Sequence, residues 1–282
     1  MRKTLPQPQP LPLALRARRK VPEVTLFFWI VKLLTTAMGE STSDYLVYHI
    51  NPYLAVALGG MGLLVSLILQ LAVRRSVAGI YWLAVVMVAV FGTMAADVMH
   101  VVLGIAYLVS TACFAVALAI IFVVWYASEN TLSIHSITTP RRELFYWATV
   151  MATFALGTAA GDMTAATLRL GYFSSAVLFA ILFAIPALAY RLFGFNEIAA
   201  FWLAYVMTRP LGASVADWLG KPYLGGLGLG DAPVALVLTI VIIGCVGSLT
   251  VTSKERKSEP RYMLPEKICG IASCLLPPDT RC

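Results

Sequence analysis

Eight stretches of about twenty mostly apolar residues divide this chain of 282 residues, each long enough to cross roughly 30 Å of hydrocarbon as a helix. They run approximately over 24–44, 52–73, 80–99, 104–126, 144–164, 170–191, 197–218 and 233–251. Only 12% of the residues are charged and 60% are hydrophobic, where an ordinary globular protein carries about 25% charged residues. A soluble domain, a disordered chain and a disulfide-built secreted scaffold are therefore excluded. Strand-like alternation is absent, so the expected fold is all-α and integral to the membrane, not a barrel. Short connections such as His49-Ile50-Asn51-Pro52 point to helical hairpins as the natural units.

Lys and Arg set the orientation. Six precede the first stretch, six follow the last, and the remaining flanking ones cluster at Arg74-Arg75, Arg141-Arg142 and Arg191, which places seventeen of the 21 on one side. Only Arg169 and Lys221 fall on the other. Both termini are expected in the cytoplasm, and the net charge of +7 follows from this topology, with no nucleic-acid partner implied. The lipid bilayer is the expected partner, with its anionic headgroups meeting the basic ends. Residues 1–20 and 254–282 read as flexible tails around a transmembrane domain over 21–253.

That domain repeats itself, a signal to be sought before any other motif. An aromatic-Trp pair occurs as Phe28-Trp29, Tyr81-Trp82, Tyr146-Trp147 and Phe201-Trp202. Ten residues after each Trp stands Gly39, Gly92, Gly157 or Gly212, and fifteen after it stands Asp44, Asp97, Asp162 or Asp217. The chain has only six Asp, so four at one repeat position are not an accident of composition. The repeats run approximately over 21–75, 76–129, 140–192 and 195–253, each a marked helix followed by a plainer one. Two spans return the chain to its starting side, so the four marked helices should be parallel, with pseudo-fourfold or paired pseudo-twofold symmetry about the membrane normal.

The W-x9-G-x4-D pattern, with Pro22-Glu23-Val24-Thr25 and Gly39-Glu40 in the first repeat, resembles a bacterial family of membrane-anchored proteins defined by a repeat of unknown function. The resemblance covers roughly residues 21–250 and implies the repeat architecture. With the charge asymmetry it points to the bacterial inner membrane.

Residues four apart share a helix face. In the first repeat that face reads Lys32, Thr36, Glu40, Asp44; in the second and third it ends in Thr93, Asp97 and Thr158, Asp162; in the fourth it reads Tyr205, Arg209, Ala213, Asp217. At 1.5 Å per residue, with Trp at the interface, the Gly lies about 15 Å further in and the Asp about 22 Å. The four Gly are expected to permit close packing or a hinge. A charge at a span's centre costs roughly 2.5 to 3.5 kcal/mol, so Glu40, Asp44, Asp97, Asp162 and Asp217 must find water, protons or cations. They are candidate cation, proton or metal ligands, with Thr93 and Thr158 in support, and hard oxygen donors of this kind suit magnesium, calcium or manganese. Lys32 and Arg209 are expected to neutralise Glu40 and Asp44 or Asp217 as ion pairs; the alternatives are internal cations displaced during a transport cycle, or receivers of an anionic substrate.

Other motifs carry less. Gly225–Gly230 has neither the strand nor the Lys of a phosphate loop, the three His share no ligand spacing, and Cys269, Cys274 and Cys282 lack zinc-site spacing. Cys113 and Cys245 read as small core residues. No catalytic constellation is visible, so neither enzymatic activity nor a cofactor is expected; self-association into a homo-oligomer stays open. The leading expectation is a transporter for a cation, with a divalent metal and proton coupling as its specific form. A passive ion channel and a structural or sensory membrane protein are the alternatives.

Overall fold

A computed structural model describes residues 20–73 and 77–258, which form eight α-helices and no strand among the described residues. They are α1 (Leu26–His49), α2 (Pro52–Ala72), α3 (Ala78–Asp97), α4 (Tyr107–Glu129), α5 (Pro140–Asp162), α6 (Gly171–Phe193), α7 (Glu197–Gly220) and α8 (Asp231–Ser258). In an apolar solvent a backbone must satisfy its own hydrogen bonds, and helices do so within one segment. Local sequence sets the ends. The side chains of Thr25, Asn51, Thr139 and Asn196 accept hydrogen bonds from the first-turn amides of α1, α2, α5 and α7. Pro52 and Pro140 open α2 and α5, where a missing N–H costs nothing, and left-handed Asn130 and Gly194 close α4 and α6.

Seven helices, α2 to α8, are long and apolar enough to cross a membrane. The first is as long, but it carries Lys32, Glu40 and Asp44 within its 24 residues. Those three side chains are buried against other helices, so the charge that lowers its hydropathy is screened from lipid.

The odd-numbered helices close into a ring: α1 packs on α3, α3 on α5, α5 on α7, and α7 back on α1. One junction repeats around it. At one end the aromatic residue of each helix meets the Trp of the next, Phe28 with Trp82, Tyr81 with Trp147, Tyr146 with Trp202 and Phe201 with Trp29, at centroid distances of 5.5, 5.7, 6.2 and 5.6 Å. About three turns deeper, Gly39 faces Ala89, Gly92 faces Phe154, Gly157 faces Arg209 and Gly212 faces Thr36. A Cβ on Gly39, Gly157 or Gly212 would overlap those neighbours, and one on Gly92 would lie 2.7 Å from the Phe154 Cβ. The glycines are thus packing positions inside continuous helices. Since like ends meet at both levels, the four inner helices point the same way.

The even-numbered helices stand outside, each on the inner helix of the following repeat: α2 on α3, α4 on α5, α6 on α7, and α8 on α1. Within a repeat the two helices scarcely touch. The expectation that repeats pack as hairpins is therefore corrected, and the reason lies in surface fit. Gly59, Gly60 and Gly62 on α2 open a groove that receives Met94, Phe91 and Met87 of α3. Their outward faces expose large apolar side chains such as Leu64, Val116, Ile181 and Leu236. Cys113 is on such a face and Cys245 is half-buried, so Cys113 is not a core residue.

Candidate functional site

The polar stripes of the four inner helices converge inside the ring. At mid-length, Arg209 of α7 reaches across it with no accessible surface. Its Nη2 donates to Glu40 Oε2 of α1 at 2.5 Å, to Thr158 Oγ1 of α5 at 2.7 Å and to Thr93 Oγ1 of α3. Its Nη1 donates to the Thr36 carbonyl at 3.1 Å. One guanidinium thus contacts all three other inner helices, as a forked, always-charged donor can. Thr93 also donates to Glu40 Oε2 at 3.2 Å, so the carboxylate is doubly satisfied. The two threonines serve this Glu40–Arg209 pair and make no hydrogen bond to Asp97 or Asp162.

Lys32 departs from the expected ion pairing. Its Nζ is fully buried, has no hydrogen-bond partner, and sits 4.0 Å from the Phe154 ring centroid and 4.4 Å from that of Tyr205. Two aromatic faces thus stand where a carboxylate was expected. Deeper toward the aromatic end, the Tyr81 and Tyr146 hydroxyls meet at 2.6 Å.

Toward the Asp end, Lys221 bridges two repeats. Its Nζ lies 2.9 Å from Asp44 Oδ2 of α1 and 2.8 Å from Asp217 Oδ1 of α7. Glu40, Asp44 and Asp217 each bring a carboxylate oxygen within 4.8 Å of the others, all three buried. Lys221 follows α7 outside the apolar stretches. Burial alone would lower its pKa, but Asp217, Asp44, Glu40 and Asp162 together raise it well above the ordinary lysine value, so the ammonium stays charged. The loop after it is ordered: the amides of Leu227, Leu229 and Gly230 donate to the Trp218, Leu219 and Gly220 carbonyls at 2.6, 2.9 and 3.0 Å. These are the carbonyls a helix end leaves unsatisfied, which explains the Gly-rich sequence there.

Asp97 and Asp162 end α3 and α5, and each is followed by a π-helical turn, Val98–Val102 or Met163–Thr167. Both are half-buried, and neither makes a hydrogen bond or ion pair among the described residues. They lie close enough to Glu40, Asp44 and Lys221 to feel their charges. The five carboxylates therefore form one electrostatic group facing two cations, Arg209 and Lys221. His100, in the π-turn after Asp97, is held by the Ile105 carbonyl at 2.7 Å and stacks on Tyr107.

Two participants were not expected from sequence. Lys221 counted only as a loop charge, although its i+4 spacing from Asp217 puts both on one face. A second buried pair joins Lys20 Nζ to Glu143 Oε2 at 2.7 Å, with Gln70 donating to Glu143 Oε1 at 3.1 Å. It ties the start of the described chain to α2 and α5, and nothing in the repeat pattern marks it. The three tail cysteines lie outside the described residues.

The comparisons follow the same division of the chain. Residues 27–76, 80–131, 145–194 and 200–255 each match the Repeat of Unknown Function DUF347. No curated protein and no solved structure matches the chain. With four matched segments that together cover well over half of its length, the chain is a membrane-helical protein with a buried carboxylate cluster and belongs to the DUF347 repeat family.

Proposed function

We propose that this protein transports a cation of the divalent-metal class across the membrane, coupled to protons. The observation that carries the reading is the meeting of Glu40, Asp44 and Asp217 within 4.8 Å, buried inside a ring of helices. Three carboxylates at that spacing offer the hard oxygen donors that Mg²⁺, Ca²⁺ and Mn²⁺ take. Asp97 and Asp162, half-buried and unpaired, are the proton carriers in this reading, since a carboxylate in such surroundings exchanges protons more readily than one held in an ion pair. All eight helices span the bilayer, α1 included, about a pseudo-fourfold axis along its normal. Both termini face the cytoplasm of a bacterial inner membrane, as the asymmetry of Lys and Arg supports.

Alternating exposure suits this interior better than a permanently open channel does. Phe154, Arg209 and Lys32 fill the space between the inner helices with no accessible surface, so conduction would require rearrangement at that level.

The test is flux into liposomes holding the purified protein, with Mn²⁺ and protons followed separately under an imposed pH gradient. Wild type is expected to carry Mn²⁺ inward as protons leave. Asp217→Asn is expected to abolish Mn²⁺ flux, and Asp97→Asn to uncouple it from the gradient. Wild-type behaviour of both variants would overturn the assignment of these acids, and absence of flux in wild type would overturn transport itself.

A further inference from the structure

We propose that Lys221 is a tethered surrogate for the transported cation: its ammonium holds the site formed by Glu40, Asp44 and Asp217, and loading an ion requires it to withdraw. The inference rests on the transport reading above and adds how that site is kept when no ion is bound. Its first ground is occupancy. The Lys221 Nζ already contacts Asp44 Oδ2 and Asp217 Oδ1 at 2.9 and 2.8 Å, so the carboxylates are arranged around a cation that the chain itself supplies.

The second ground is what the ammonium leaves unmet. Ser43 follows Glu40 by three residues and Ser214 precedes Asp217 by three, which puts each hydroxyl on the face of its acid. Both hydroxyls are buried, with 0% and 1% of the residue accessible, and neither has a hydrogen-bond partner. A buried hydroxyl without a partner costs free energy. An ammonium offers one positive charge to two carboxylates, whereas a divalent ion balances both and takes further oxygen ligands at once.

The third ground is a place to withdraw to. Lys221 stands just beyond α7, and its Nζ is 5.6 Å from the ring centroid of Tyr172 on α6, itself packed against Tyr223. Those rings offer an ammonium a second stop a short rotation away. The backbone need not move, because the loop is fixed to the end of α7 by its amides. The exchange moves a charge and breaks no covalent bond. With Lys221 inside, the site is closed to ions; with an ion inside, Lys221 is released toward the aromatic pair.

The test is Mn²⁺ binding to purified full-length protein in detergent, read from loss of the free-ion EPR signal, for wild type, Lys221→Met, Lys221→Arg and Asp217→Asn. If the ammonium fills the site about nine-tenths of the time, its removal tightens Mn²⁺ binding about tenfold, because apparent affinity scales with the competent fraction. Lys221→Arg, which keeps the charge, is expected to bind no tighter than wild type. In parallel, an amine-reactive reagent on wild type, with adducts read by mass spectrometry, should modify Lys221 several-fold faster with Mn²⁺ bound. That arm does not depend on any variant folding. Binding lost in Asp217→Asn but unchanged in Lys221→Met, or labelling indifferent to Mn²⁺, overturns the surrogate role and leaves the transport site standing. If no form binds Mn²⁺, the metal reading and the surrogate role fall together.

Discussion

The inner helices α1, α3, α5 and α7 and the outer helices α2, α4, α6 and α8 are built from opposite materials. The outer four are the more apolar and the more exposed, with Leu64, Val116, Ile181 and Leu236 turned outward. The inner four carry the repeat glycines and the buried charges, and Lys32, Glu40, Thr93, Thr158, Arg209 and Asp217 are all buried on them. In a soluble protein the most apolar segments form the core. Here lipid solvates them equally well on the outside, so burial goes to helices with small residues for close approach and polar groups that need partners.

That contrast can be broken experimentally, and the largest effect is expected at Arg209. Arg209→Met leaves Glu40 buried without its cation, which should cost about 3–5 kcal/mol. Loss of folded, monodisperse protein on size-exclusion chromatography would register it, and adding Glu40→Gln should recover most of the loss. Recovery failing in the double variant would show that the guanidinium matters through its other contacts.

The converse change comes next. Val116 faces outward near the middle of α4, and Val116→Lys puts a charge in lipid at a cost of about 2.5–3.5 kcal/mol on insertion scales. Reduced membrane insertion should report it, although the native Lys32 is tolerated inside the ring. Third, Gly212→Ala adds a methyl group that overlaps Thr36, and overpacking of this kind costs roughly 1–3 kcal/mol. A lower thermal midpoint in detergent is the expected readout. Smallest is Gly244→Ala on α8, where a Cβ meets no atom within 4 Å; stability should stay within about 0.5 kcal/mol of wild type, with the midpoint unchanged or slightly higher. A larger loss at Gly244 than at Gly212 would invert the assignment of inner and outer helices.

Particular residues show how far sequence reading reaches. The four Trp-Gly-Asp sets identified the inner helices, because each residue type answers to its depth: Trp to the interface, Gly to close packing, Asp to water or ions. Glu40 and Arg209 were each legible as charges in an apolar setting, but which carboxylate the guanidinium would meet was left open among Glu40, Asp44 and Asp217. Lys32 was not placed, because charge alone cannot tell a carboxylate from two aromatic faces brought from α5 and α7. Lys221 was hidden by its position just outside the apolar stretch, where a lysine ordinarily faces water.

The amino-acid order by itself determined the helices, their caps, the repeat and the direction of the inner ring, since these depend on contacts within one segment or on there being two helices to each repeat. Tertiary structure alone decided that each outer helix leaves its own repeat to pack on the next, that one guanidinium joins four helices, and that Lys221 closes the carboxylate cluster. Those outcomes depend on which surfaces fit once all eight helices compete for the same neighbours, and a linear pattern carries no record of that competition.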